Sequence, residues 1–181
     1  SFCIFQSGTT LVLKGIDLIL KTIIVFSGNL CKSLTVTKGV EAVLSFSLEF
    51  NSLENKTHTE IRMSAWRPGR YELGNFTRFL KTVYAFDEQG NALAIRKTER
   101  EAWIIEHKPL SKITVKYDYF AGVLNAGSTF LNHEQVYLNP VNCLLYAPDL
   151  MHLPCELRME IPEDYQIATG FPSDHKSGYY L

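Results

Sequence analysis

The stretch Ala65-Trp66-Arg67-Pro68-Gly69-Arg70-Tyr71-Glu72-Leu73-Gly74-Asn75-Phe76 crowds an indole, two guanidiniums, a Pro-Gly pair and a phenol together. Pro68 fixes φ near the value that the second position of a tight turn needs, and Gly69 can take the positive φ of the third position of a type II turn. Arg67 to Arg70 therefore reads as one tight reversal. It throws Trp66 and Tyr71 back beside each other and leaves Arg67 and Arg70 at the rim. Two roles fit such a corner. Its aromatics can fill core while its arginines snorkel, since Trp is highly buried on average and Arg mostly exposed. Alternatively, the loop is stiff because it borders a binding surface.

On both sides of the corner the hydrophobic period is two. Upstream, Leu44, Phe46, Leu48 and Phe50 alternate with Ser45, Ser47 and Glu49, the mark of a half-buried strand. Residues 51–55 are turn-rich, and a second strand over 59–66 carries Ile61, Met63 and Ala65 on one face. Downstream, Asn75 is placed to cap one short helical turn, after which a strand runs to Phe86. Asp87-Glu88-Gln89-Gly90-Asn91 is a turn cluster that closes a hairpin, with the returning strand over 93–97. Short strands follow over 102–106, around Trp103, and over 112–121, where Ile113, Val115, Tyr117 and Tyr119 share a face. Residues 122–128 read as a loop, and the apolar pieces 130–138 and 143–146 are broken by Asn139-Pro140. Further short strands are expected over 156–161 and 165–169. About ten short strands with almost no helix predict an all-β fold, an antiparallel β-sandwich or saddle-shaped sheet.

Residues 1–40 are harder to assign. The apolar run from Leu11 to Phe26 is interrupted by Lys14, Asp17 and Lys21, too short and too charged for a membrane span, and fits two strands or an amphipathic helix equally. No membrane association is expected. A net charge of −1 gives no basic footprint for nucleic acid. A hydrophobic content of 46% is ordinary for a globular chain. The chain starts at Ser1 and reads as a fragment of something longer. Its four cysteines (3, 31, 143 and 155) form no Cys-x-x-Cys pair and read as free thiols, with a Cys143–Cys155 bridge as the alternative in an exported protein.

Catalytic motifs are scarce. His133-Glu134-Gln135-Val136-Tyr137 approaches the zinc-peptidase pattern, in which two histidines at i and i+4 hold the metal. Here the second position is Tyr137, and the flanking Asn139-Pro140 suits a strand or loop. The other histidines show no paired spacing, so no metal site is expected in this chain. There is no Gly-x-Ser-x-Gly elbow and no glycine-rich phosphate loop. Tyr84, Tyr117, Tyr119, Trp103 and Phe120 would either pack as core or form an aromatic platform for sugar.

Trp66-Arg67-Pro68-Gly69-Arg70-Tyr71 is followed in order by Phe86-Asp87-Glu88-Gln89-Gly90, by Trp103 on its strand and by Ile113 to Tyr119. This run resembles the amino-terminal β domain of the glycyl aminopeptidase family of zinc metallopeptidases, over about residues 40–172. The resemblance implies three segments: an unassigned extension over 1–40, the peptidase β domain over 41–172, and over 173–181 the start of a linker to a catalytic domain outside the chain. It also implies a non-catalytic role. The chain would brace a thermolysin-like catalytic domain of the same polypeptide, which holds the zinc, and wall its cleft for a peptide substrate. No cofactor is expected on the fragment itself. Glu134 and Asn132, with Tyr137 nearby, are the implied candidates to grip the substrate's amino terminus, since a desolvated ammonium needs an anion or several acceptors. The alternative is a stand-alone β-sandwich module that binds a ligand such as carbohydrate. Localisation stays open between cytoplasm and cell envelope of a bacterium.

Overall fold

The computed structural model describes residues 11–14, 19–22, 30–37, 42–67, 73–125, 127–132, 135–153, 156–157, 166–168 and 179–180. Among these residues there are fourteen strands: β1 (Leu11–Lys14), β2 (Ile19–Thr22), β3 (Leu30–Thr37), β4 (Val43–Leu53), β5 (His58–Arg62), β6 (Leu80–Phe86), β7 (Ala92–Lys97), β8 (Ala102–Glu106), β9 (Leu110–Phe120), β10 (Phe130–Leu131), β11 (Gln135–Leu138), β12 (Glu156–Leu157), β13 (Gln166–Ala168) and β14 (Tyr179–Tyr180). Helix among the described residues is one α turn, α1 (Pro140–Cys143), and two 3₁₀ turns at Phe76–Phe79 and Pro148–Leu150. The fold is all-β.

The larger sheet has the order β14-β12-β3-β4-β9-β6-β7-β8-β5, with β2 paired to β3 beside this path. Its pairs are antiparallel except β12 with β3. A smaller sheet runs β10-β11-β1-β13. The three amino-terminal strands, β1, β2 and β3, are thus built into sheets.

The centre is the β4–β9 pair. Leu44 faces Tyr119, Phe46 faces Tyr117, Leu48 faces Val115 and Phe50 faces Ile113. All eight side chains are buried, so the alternation read from both strands lands on one face. Phe46 and Tyr117 stack with ring centroids 5.0 Å apart and planes 11° from parallel. Each such large apolar side chain contributes roughly 1.5–3 kcal/mol on burial. Leu131, Val136, Leu138, Leu144 and Leu145 close over the same core from the smaller hairpin and the segment after it.

The expected hairpin at 87–91 is present. Asp87 accepts from the backbone N–H groups of Gln89 (3.0 Å) and Asn91 (2.7 Å) through Oδ1, and from the Asn91 side chain (2.9 Å) through Oδ2. Gly90 takes the positive φ of 85° that the turn requires. The helical turn at 76–79 is also present, as 3₁₀. Asn75 does not cap it through its side chain: its φ is 49° and no side-chain bond reaches the turn. Asn stands there because its short polar side chain tolerates the left-handed region.

Three expectations differ from the structure. The strand expected over 59–66 stops at Arg62, whose backbone is bridged to Tyr146 in both directions (Arg62 N–H to Tyr146 O 2.7 Å, Tyr146 N–H to Arg62 O 2.8 Å). Residues 130–138 are divided into two short strands by a turn. Residues 140–143 form a helical turn instead of a simple break, because Pro140 stands at its first position with φ already set for a helix.

Candidate functional site

The two described flanks of the 65–76 stretch lie side by side. Gly74 donates its N–H to the carbonyl of Ala65 over 2.7 Å, which closes a loop between the end of the β5 segment and the 3₁₀ turn. Pro68, Gly69, Arg70 and Tyr71 lie outside the described residues. Trp66 is 55% exposed, so this indole is not core. Arg67 extends from the corner toward the loop that follows β9, and a side chain built at Gly127 would collide with its guanidinium. Gly127 also has a φ of 82°, a backbone conformation that favours glycine, whereas the Arg67 guanidinium is the end of a flexible side chain that can move aside.

A cavity of about 440 Å³ opens between these two segments. Arg67, Arg78 and Arg100 line it together with Asn125, Ser128 and Asn142, and none of its described lining residues is acidic. Tyr119, on β9, contributes part of the floor. Burial pushes the Tyr119 phenol far above its ordinary range, with the nearby Arg78 charge acting weakly in the opposite direction. Arg78 packs over the Phe79 ring, 4.5 Å from its centroid, and Arg100 sits 3.4 Å from the Glu101 carboxylate.

The loop on the far wall is fixed by polar side chains. Ser128 Oγ donates to the Val123 carbonyl (2.7 Å) and accepts from the Asn125 N–H (3.0 Å). The Gly127 carbonyl accepts from the side-chain amides of Asn139 (3.0 Å) and Asn142 (2.7 Å). Thr129 Oγ1 donates to the Asn139 carbonyl and accepts the Asn139 N–H, both at 3.1 Å. The α1 turn is tied down in its own way: Tyr117 donates its hydroxyl to the Cys143 carbonyl (2.7 Å), and Leu145 donates its N–H back to that hydroxyl (3.2 Å). Cys143 itself is buried, and its thiol donates to the Asn139 carbonyl (3.2 Å).

The candidates taken from the sequence fall on the β10–β11 hairpin. Asn132 turns it, donating its N–H to the Gln135 carbonyl (3.1 Å) and accepting the Gln135 N–H on Oδ1 (2.9 Å). Tyr137 is half-buried on β11, opposite Phe130. Glu134 lies outside the described residues. The hairpin joins the two regions: residues 132 and 135 flank its tip, while Thr129 and Asn139 close its other end next to Gly127. The arginine-lined cavity therefore sits at the opposite end of the hairpin from the Asn132 turn.

Trp103, Tyr117 and Tyr119 are 7%, 3% and 2% exposed, so they are core and cannot form a platform for sugar. Among the described residues no three His, Cys, Asp or Glu side chains gather to hold a metal ion. Among them, too, no helix is long and apolar enough to cross a membrane. The cavity was not legible in the sequence. Arg78, Arg100 and Asn142 meet through long-range pairing, and the one local hint is the helical turn that begins at Pro140.

Residues 33–181 match the model of the family described as the Peptidase M61 N-terminal domain. A crystal structure of an aminopeptidase N family protein from Idiomarina loihiensis is similar in fold, with a TM-score of 0.67 and 24% sequence identity over 77% of this chain. The chain spans 24% of the length of that protein. No curated protein matches the sequence.

Proposed function

The chain belongs to the Peptidase M61 N-terminal domain family, and from that membership we propose that it is the non-catalytic amino-terminal β domain of a zinc-dependent aminopeptidase. The observation that carries this reading is the family match across residues 33–181. The aminopeptidase N family protein of similar fold is a much longer chain, in keeping with a β domain that serves as one part of a larger protein.

On this reading the metal belongs to a thermolysin-like domain carrying His-Glu-x-x-His, the pattern that holds zinc on one helix face. The β domain supplies rigidity. Its two-sheet core fixes the β10–β11 hairpin, and the turn at the tip of that hairpin walls the cleft. Glu134, with Asn132 and Tyr137 on the same hairpin, accepts the amino terminus of a peptide substrate. Asn132 holds the turn through its paired bonds with Gln135.

The test is a comparison of two proteins. The 181-residue chain alone should neither bind zinc stoichiometrically nor cleave glycyl peptides, whereas a polypeptide that joins it to a His-Glu-x-x-His domain should do both. In the joined protein Glu134→Ala should raise KM for peptides with a free amino terminus and leave zinc content unchanged. Zinc binding and peptide cleavage by the chain alone would overturn the division of labour.

A further inference from the structure

We propose that the exposed apolar surface made by the 65–79 corner and the 120–125 loop is where the following domain of the same polypeptide docks. The inference rests on the reading of this chain as the amino-terminal part of a larger enzyme, and it names the surface that reading leaves open. Placement, charge and area carry it.

Seven large apolar side chains are exposed among the described residues, and five of them, Trp66, Leu73, Phe120, Val123 and Leu124, belong to these two segments. Leu73 and Leu124 are 70% and 71% exposed. The segments meet at two points. Phe79 packs near Phe120, with ring centroids 6.5 Å apart, and the Arg67 guanidinium lies against Gly127 just past the loop. The bond from the Gly74 N–H to the Ala65 carbonyl brings the neighbours of Trp66 and Leu73 together across the corner. Single exposed apolar residues are ordinary on a protein surface, whereas a group of them marks an interaction site.

Charge is missing where water alone would favour it. From Tyr119 to Asn132 the sequence has no Asp, Glu, Lys or Arg, although these make up 20% of the chain. Yet residues 122–125 are all exposed. In the corner, the described residues 65–67 and 73–79 carry two charged side chains, Arg67 and Arg78, and the Arg78 guanidinium stacks on the Phe79 ring, 4.5 Å from its centroid. Aromatic residues and arginine enriched, with Lys, Asp and Glu depleted, is the composition of the core of a protein–protein interface.

Area decides the occupant. A free partner or a second copy needs an interface of roughly 1,200–2,000 Å² in total, more than five side chains supply. Domains of one chain dock over roughly 600–1,500 Å², because the linkage keeps the effective concentration high. This chain spans 24% of the length of the aminopeptidase N family protein of similar fold, so a domain of this fold occurs in a polypeptide with enough further chain to cover the patch.

Hydroxyl-radical footprinting read by mass spectrometry tests this on the 181-residue chain and on the polypeptide that joins it to a His-Glu-x-x-His domain. Trp66, Leu73, Phe120 and Leu124 should be modified several-fold more slowly in the joined protein, while Tyr84 and Met151, the other exposed apolar residues, keep their rates. Leu73→Glu with Leu124→Glu should shift the melting temperature of the 181-residue chain by no more than about 2 °C, as exposed substitutions do. In the joined protein the same pair should return Trp66 and Phe120 to the rates of the chain alone, since two buried carboxylates are costly. If the pair destabilises the chain, the footprint of the unsubstituted proteins still decides. Unprotected patch residues in the joined protein, protection as strong at Tyr84 and Met151, or dimerisation of the 181-residue chain through the patch would each overturn the proposal, whether or not the sample is active. Absence of zinc and of peptide cleavage in that sample would instead overturn the peptidase reading, whether or not the patch is protected.

Discussion

The side chain of Asn142 donates to the carbonyl oxygen of Gly127 over 2.7 Å, joining the α1 turn to a loop fifteen residues earlier in the chain. Asn139 donates to the same oxygen. Two amides on one carbonyl hold Gly127 in its left-handed conformation, and Gly127 in turn supports Arg67. Asn142→Ala should cost about 1–3 kcal/mol, the usual penalty for losing one partner of a buried hydrogen bond. It should also loosen the 121–128 loop. Urea denaturation gives the first quantity, and protease cutting within 121–128 under native conditions gives the second. A denaturation midpoint equal to that of the parent chain would show that Asn139 alone suffices.

Tyr117 is a second such link. Its hydroxyl, inside the core, bridges the Cys143 carbonyl and the Leu145 N–H. Tyr117→Phe keeps the ring stacked on Phe46 and removes only that oxygen. Both backbone groups are then left unmet, and the loss should be about 1–3 kcal/mol. Unchanged stability, measured by urea unfolding, would mean that the segment 143–145 finds other partners.

The same phenol makes the fold sensitive to alkali. Burial pushes Tyr117 well above its ordinary value of 10.0, and Tyr119 shifts in the same direction for the same reason. The folded chain thus keeps protons that the unfolded chain releases from about pH 10 upward, so the native state binds more protons there. Stability from these two groups is complete below that pH and is lost as pH rises toward the folded-state values. Tyrosinate absorbance should therefore appear in two phases. The last fraction appears together with loss of near-ultraviolet circular dichroism. A single titration near pH 10 with the circular dichroism intact would contradict the buried placement.

Much of the sheet was legible in the sequence because it rests on a local signal. In β4 and β9 a period of two runs for several residues, and burial of one face is enough to fix their register, as the facing pairs Leu44–Tyr119 and Phe50–Ile113 show. The Asp87–Asn91 hairpin was legible for a similar reason, since Asp and Gly at those positions stabilise the turn with their own groups. Asn75 stands at the N-cap as expected but by left-handed backbone and not by a side-chain bond, since both roles draw on the same residue type. The cavity lay beyond local reasoning altogether. Arg67, Arg100 and Asn142 have no periodic relation, and only the pairing of distant strands brings them to one place.

The two tryptophans separate a core role from a surface role within one fold. Trp103, on β8, is 7% exposed, and Lys97 lies over its ring at 5.0 Å. Trp66, at the corner, is 55% exposed. Trp103→Ala should cost about 3–5 kcal/mol, because it removes a large buried ring and leaves a cavity against Ile61 and its neighbours. Trp66→Ala should change stability by no more than about 0.5 kcal/mol, the range typical of surface substitutions. Chemical denaturation of the two variants decides the point, and fluorescence of the single tryptophan left in each adds an independent reading: blue-shifted emission for Trp103 and emission near that of free indole for Trp66. If the costs came out equal, the corner would be an element of the core. The large difference expected instead leaves the Trp66 indole available for contacts outside this domain.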